Sequence, residues 1–441
     1  MSQLKLFGNR RSPRVSRTGS GAQAAGATAV AQRTAGSGKK RRSAIKILTK
    51  IFLVLAILEG LYFTCAYSDI PFIKKWRTIY IETAMSTMRH QWLATAFLPK
   101  SVIDEVVDRV NAAQQAQVGI NTSWGGKPGT SGNTSGNPTT PSDESGMSEE
   151  ERTFYELFWE LDPASMQSYL SEHPEALENG WENLYINEAG LDDKGTSIYT
   201  TMGEQVLAID AANGVLLVRV SGSGYRGVLA VAKDPSRLSV QASSMLGSAG
   251  QYAGEIAKNH DGILAMTANG FIDENGRGNG GILAGYTMCD GESHGRHMGW
   301  SYKRLELRED DLMYIVDASD PVNASTTDAV EFTPALIVDG NVLVDANCGW
   351  TALNPRACIG QSDKYEVLML VIEGRLIDSV GTDVIECAKI LERHNCMQAM
   401  NLDGGTSAIL YYDGEYVTRC SNTSCPYGRT LPNAFVYRRA D

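Results

Sequence analysis

Met400-Asn401-Leu402-Asp403-Gly404-Gly405-Thr406-Ser407 sets one carboxylate between an apolar, strand-like run and a turn made of paired glycines. Adjacent glycines permit positive φ and let backbone approach a ligand closely, so their N–H groups can face an anion or a developing negative charge. An aspartate in that place is a candidate for chemistry. Asp-Gly between apolar runs is also a short-hairpin signal, and these residues alone leave both readings open.

Outward from this turn, apolar and β-branched runs at 215–220, 227–231, 262–267, 282–288, 335–344, 367–372, 408–412 and 434–437 read as strands. Helical spacing is best at 250–258 and 384–394. The expected class is α+β, with a mixed, mostly antiparallel sheet and a few packed helices, preceded by one transmembrane helix and a flexible linker.

The chain has 441 residues and 43% hydrophobic content, enough for two or three domains and a sizeable core. Its net charge of −11 is unevenly placed: residues 1–50 hold twelve Lys and Arg and no acid, which leaves −23 on the remainder. An acidic body argues against a nucleic-acid partner, because phosphate backbones are held by clustered Lys and Arg.

Residues 1–43 read as a disordered basic cytoplasmic tail and 44–67 as a transmembrane helix centred on Ile51-Phe52-Leu53-Val54-Leu55-Ala56-Ile57-Leu58. Lys39-Lys40-Arg41-Arg42 just before it predicts a cytoplasmic N-terminus, so everything beyond Tyr67 is expected outside the cell, with the membrane as a partner. A cleaved signal peptide, with Thr64 and Ala66 before the cut, is the alternative. Glu59 is an expensive residue inside a span.

Residues 68–118 have helical periodicity that fits two helices around Pro99 and read as a juxtamembrane stalk. Residues 119–148 are a Gly/Ser/Thr/Asn/Pro linker, 149–213 an accessory helical segment opening on a Ser148 cap, and 214–441 the main domain, which holds the opening turn. Of eight cysteines, Cys420 and Cys425 are spaced to close a short disulfide loop, whereas Cys358 reads as a buried apolar residue. No spacing suits structural zinc. Asp403, Asp273 and Asp383 could offer oxygen ligands, but no local loop motif joins them, and neither metal nor cofactor enters the expectation.

Three further stretches accompany the opening turn: Arg356-Ala357-Cys358-Ile359-Gly360, Val371-Ile372-Glu373-Gly374-Arg375 and Arg429-Thr430-Leu431-Pro432-Asn433-Ala434. In order and spacing they resemble the phosphodiester glycosidase family, typified by the uncovering enzyme that removes N-acetylglucosamine from its phosphodiester link to mannose. Ala268-Asn269-Gly270-Phe271-Ile272-Asp273 and Gly278-Asn279-Gly280-Gly281 are similar to the family's Asn-Ala-Gly-Phe-Phe-Asp segment and later glycine turn, although Ala268 stands where the family's first asparagine falls. The resemblance runs from Gly214 to Tyr437.

It implies a hydrolase cleaving a sugar 1-phosphodiester in a cell-surface polysaccharide or glycoconjugate, with the alternative of a non-catalytic binder of anionic polysaccharide acting in envelope assembly. The planar forks of Arg356 and Arg429 suit phosphate oxygens, with Gly404 and Gly405 adding backbone N–H groups. Asp403 is the expected nucleophile or general base. Asp273 is either a second carboxyl or a turn aspartate, and a phosphate leaving group needs little protonation. Thr406 and Ser407 would orient Asp403 or meet a sugar hydroxyl. Asn269 and Asn279 would read sugar hydroxyls or sit in turns.

Overall fold

Strand Val367–Ile372 is apolar at every position, and its side chains alternate between two cores. Val367, Met369 and Val371 face one, while Leu368, Leu370 and Ile372 face the other, as the period of two requires. This strand lies inside a nine-stranded sheet whose order is Tyr185–Asn187, Val206–Asp210, Val215–Gly222, Tyr225–Ala232, Val367–Ile372, Arg356–Ser362, Cys396–Asn401, Ala335–Val338, Asn341–Val342. Every pairing in it is antiparallel. Two smaller sheets are also antiparallel. One is built around Lys303–Arg308 and Thr326–Phe332, the other around Gly262–Thr267 and Asn433–Arg438.

The structure is a computed structural model that describes residues 34–87, 90–124, 147–274, 277–346 and 349–440. Of the tail expected over 1–43, residues 1–33 lie outside the described residues and 34–43 are helical rather than disordered; of the linker expected over 119–148, residues 125–146 lie outside them. By contacts the chain divides into Met1–Thr64 and Cys65–Asp441.

Helix α1 (Thr34–Tyr67) overturns one expectation. Among the described residues no helix is long and apolar enough to cross a membrane, so the transmembrane span expected at 44–67 is withdrawn. The unbroken apolar run from Ile51 to Leu58 is bounded by Lys50 and Glu59 and falls well short of the roughly 20 residues a span needs.

Helices α2 (Pro71–Met85), α3 (Trp92–Thr95) and α4 (Lys100–Ala116) replace the two expected between 68 and 118. They share a small core of Ile81, Ala84, Ala94, Ile103 and Val106. The residues just beyond α4 do not behave as a linker. Gln117 exchanges two hydrogen bonds with the backbone of Ala335 at 2.9 and 3.0 Å, and Thr122 N–H donates to Ile315 O at 2.8 Å. Residues 117–124 therefore run along the domain.

Helix α5 (Glu149–Leu157) starts at Ser148, whose Oγ accepts from Glu151 N–H, and α6 (Pro163–Glu172) starts at Asp162. The accessory segment also supplies two strands to the large sheet. Helix α7 (Ala253–Asn259) packs on the sheet containing Gly262–Thr267, and α8 (Val384–Arg393), capped by the Asp383 carboxylate, covers the large sheet.

Candidate functional site

Antiparallel register gathers the site. Arg356, the first residue of its strand, pairs with Ile372, the last of the next, and Cys358 pairs with Asn401 at the end of a third. The residues after Ile372 and after Asn401 thus leave the large sheet at the edge where Arg356 enters. Arg375 and Asp403 are in those two exits. Both line, with Arg356, Asp273 and Arg429, a single cavity of about 990 Å³.

Asp403 occupies the turn between the strand Cys396–Asn401 and a short 3-10 turn, Gly405–Ser407. Burial pushes its carboxyl up to about 6, and the Asp273 charge acts the same way; hydrogen bonds from Ser407 and the Gly404 N–H and the Arg429 charge oppose them. The carboxylate is thus oriented and ionised at neutral pH.

The glycines do something other than the sequence suggested. Gly405, at φ +63°, donates its N–H to Pro355 O at 3.1 Å, and the Gly404 N–H goes to Asp403 itself. Neither is turned toward a phosphate. For Gly404 the need is steric, since a Cβ there would stand 2.7 Å from Pro355 O, whereas Gly405 is needed for its positive φ, which other residues rarely adopt. The paired glycines let the Asp403 turn lie against the backbone just before Arg356 and beneath the Arg375 guanidinium.

Arg429 and Asp273 form a two-pronged ion pair, with Nη2 to Oδ1 at 3.1 Å and Nη1 to Oδ2 closer. Arg429 also donates to Gly278 O and lies 4.4 Å from the centre of the Phe271 ring. Asp273 further accepts from Gly278 N–H at 2.7 Å. Its carboxylate is therefore a holder of Arg429 and of its own turn.

Arg356 and Arg375 differ in having no acid. Among the described residues neither forms an ion pair. Arg356 donates Nε to Thr382 O at 3.1 Å and Nη2 to Ala352 O at 2.5 Å, and burial holds its pKa below the usual arginine range. Arg375 donates Nη2 to Asn354 Oδ1 at 2.9 Å. Desolvation and the neighbouring Arg356 charge hold its pKa down as well. Two adjacent guanidinium groups, neither in direct contact with a carboxylate among the described residues, make a place for an anion.

Thr406 lines the same cavity, and its carbonyl accepts from Arg429 N–H at 3.2 Å; Ser407 is nearly fully buried beside Asp403. Asn269 and Asn279 are not brought into the cavity wall. Asn269, fully buried, gives Nδ2 to Tyr286 O and Glu331 O and takes a hydrogen bond from Asn433 on Oδ1. Asn279 is a turn residue bonded to Ser248 O and Gly281 N–H. Cys420 and Cys425 are free thiols in hydrogen-bond contact rather than a disulfide, and Cys358 is fully buried.

Arg375 is marked in the sequence only by the Val371-to-Arg375 stretch. Asn354, which lines the cavity and holds Arg375, and Glu82 and Ser86 of the helical segment, which also line it, carry no sequence signal of such a role. No local pattern in 68–118 marks those residues.

Residues 261–438 match the model of the phosphodiester glycosidase family, and that stretch is a phosphodiester glycosidase domain. The match begins later than the stretch from Gly214 that resembles the family. A curated relative, the SPbeta prophage-derived uncharacterized protein YomE of Bacillus subtilis (strain 168), is 24% identical over 178 residues, which are 38% of this chain and 27% of that protein. The chain thus spans only about a quarter of that relative's length. Among solved structures, the zebrafish N-acetylglucosamine-1-phosphodiester alpha-N-acetylglucosaminidase catalytic domain, auto-inhibited by its pro-peptide, is similar with a TM-score of 0.43 and 17% identity, over 59% of this chain and 90% of that one. A hypothetical protein from Synechocystis aligns with a TM-score of 0.37 and 13% identity, over 53% of this chain and 63% of its own.

Proposed function

We propose that this phosphodiester glycosidase domain hydrolyses a sugar 1-phosphodiester, cutting the bond between the anomeric carbon and the phosphate oxygen. Water adds to the sugar, and phosphate leaves as the monoester of whatever it still carries. The observation that supports this reading is the pair of adjacent guanidinium groups, Arg356 and Arg375, neither ion-paired among the described residues, in one cavity with an oriented, ionised Asp403.

In this reading Arg356 and Arg375 take the anionic oxygens, and Arg429, stiffened by Asp273, completes the clamp from the other side. Asp403 acts at the anomeric centre as nucleophile or as base toward water, with Ser407 holding it in place. Phosphate departs without a strong acid, which suits a site whose second carboxylate is engaged by Arg429. The cavity is at the upper end of the roughly 300–1,000 Å³ usual for ligand pockets, and it accommodates a sugar, its phosphate and part of the attached group. A cell-surface polysaccharide or glycoconjugate outside the cytoplasm is the proposed substrate.

The test is release of chromophore from a sugar phosphodiester by the full chain, beside Asp403→Asn. We expect turnover by the wild type and a loss of about a thousandfold or more in the variant. Equal rates would remove Asp403 from the reaction. Retention of an anionic polysaccharide without turnover by either protein would mark the chain as a binder instead.

A further inference from the structure

We propose that helix α2 is part of the phosphate site, with Ser86, Thr83 and Glu82 acting as positioning residues for Arg375 and Arg356. These residues lie well outside the stretch that matches the family, and the proposal rests on the reading of the two arginines as the anion clamp.

The segment Thr351-Ala352-Leu353-Asn354 is bonded alternately to the helix and to the arginines. Thr351 gives N–H to Glu82 Oε2 at 2.5 Å and its hydroxyl to the same oxygen at 2.8 Å. Leu353 N–H donates to Thr83 Oγ1 at 3.0 Å. Between these two anchored residues, the Ala352 carbonyl accepts from Arg356 Nη2. Next in line, Asn354 donates Nδ2 to Ser86 Oγ at 2.9 Å and accepts Arg375 Nη2 on Oδ1, also at 2.9 Å.

Each arginine is therefore aimed by an oxygen whose own position is set from α2. The Asn354 amide makes the logic sharp. Its nitrogen has to find an acceptor for its oxygen to face Arg375, and Ser86 Oγ is that acceptor; the Ser86 hydroxyl is fixed in turn by donating to Thr83 O at 3.0 Å. Two like charges held side by side repel, so they stay aimed at a common point only when both are tethered. Arg375 has no carboxylate to tether it, and Asn354 takes that place. Glu82 is buried, its carboxyl raised chiefly by desolvation; Oε2 holds Thr351, its other oxygen has no hydrogen-bond partner, and its charge acts on Arg356.

The experiment is calorimetric titration of the full chain with inorganic phosphate, for wild type, Ser86→Ala, Ser86→Thr and Thr83→Val, each checked for an unchanged far-ultraviolet spectrum. Ser86 is on the exposed end of the helix, which makes its truncation compatible with folding. We expect phosphate to bind the wild type, to bind Ser86→Ala and Thr83→Val about tenfold more weakly, and to bind Ser86→Thr, which keeps the hydroxyl, as it binds the wild type. In hydrolysis assays the weakening enters KM more than kcat. Phosphate affinities within twofold across all four proteins, or no phosphate binding by the wild type, would overturn the proposal. Because the titration needs no turnover, an inactive Asp403 centre and an absent α2 linkage give separate results.

Discussion

Arg429 and Asp273 meet fork to fork, with both guanidinium Nη atoms on both carboxylate oxygens while the guanidinium carbon sits over the Phe271 ring. The relationship assigns Asp273 a job. A carboxylate gripped in two places by arginine, and again by the Gly278 N–H, is a good strut. It also stands close enough to Asp403 to raise that residue's pKa. Asp273→Asn should therefore move the acid limb of the kcat/KM profile to lower pH, since Asp403 loses a negative neighbour while Arg429 keeps its charge. The alkaline plateau should fall by about tenfold through the loosened Arg429, far less than for a residue at the reacting centre. A pH–rate profile of the variant measures both effects; an unmoved acid limb, or a collapse matching Asp403→Asn, would refute the strut.

The apolar strands were legible because each is a short run that the sheet buries. Expected runs at 262–267 and 367–372 coincide with Gly262–Thr267 and Val367–Ile372, and the run at 434–437 lies within Asn433–Arg438. Helix α8 was legible from the helical spacing over 384–394. Lys303–Arg308 and Thr326–Phe332 were not, because both carry charges at positions the fold buries. A run such as Lys303-Arg304-Leu305-Glu306-Leu307-Arg308 reads as surface until its partners are known.

At the site, the motif stretches carried Asp403, Asp273, Arg356 and Arg429, all of which line one cavity. The same stretches misdirected the glycines. Whether an N–H faces a ligand or a carbonyl depends on what packs against the turn, here Pro355, and pattern does not contain that. Nor could periodicity in 68–118 reveal that Ser86 hydrogen-bonds Asn354, a partner 268 residues away.

Those buried charges carry a stability prediction. Arg304 is fully buried, with Nε on Glu306 Oε1 at 2.8 Å and its other nitrogens on the carbonyls of Ala318, Asp320 and Pro321. Glu306 Oε2 is shared by Arg308 at 2.7 Å and the Thr326 hydroxyl at 3.0 Å. Glu306→Ala leaves the Arg304 charge buried without its counter-charge, a change that destabilises by about 3–5 kcal/mol. Replacing both members, Arg304→Met with Glu306→Leu, removes the stranded charge and should recover most of that loss. Urea unfolding of the three proteins decides it. A single variant within about 1 kcal/mol of wild type would show the pair to be dispensable.

Asp403 should trade stability for reactivity within one pH window. Its native carboxyl is raised to about 6, while in the unfolded chain it returns to about 3.9. Below about pH 4 both states hold the proton and the residue is neutral toward stability. Between about 4 and 6 the unfolded chain releases its proton first, so stability falls as pH rises, by roughly 3 kcal/mol once the native carboxyl has also ionised, at about 1.4 kcal/mol per pKa unit. Asp403→Asn keeps an oxygen for Ser407 and Gly404 but never ionises, and it escapes that loss. Urea unfolding of the two proteins from pH 4 to 8 should give curves that coincide at the acid end and separate above pH 5, with the inactive variant the more stable. Hydrolysis by the wild type should rise through the same interval, because the ionisation that weakens the fold produces the reactive carboxylate. Parallel unfolding curves across the range would mean that Asp403 titrates as an ordinary surface acid, and the rate increase near pH 6 would then belong to another group.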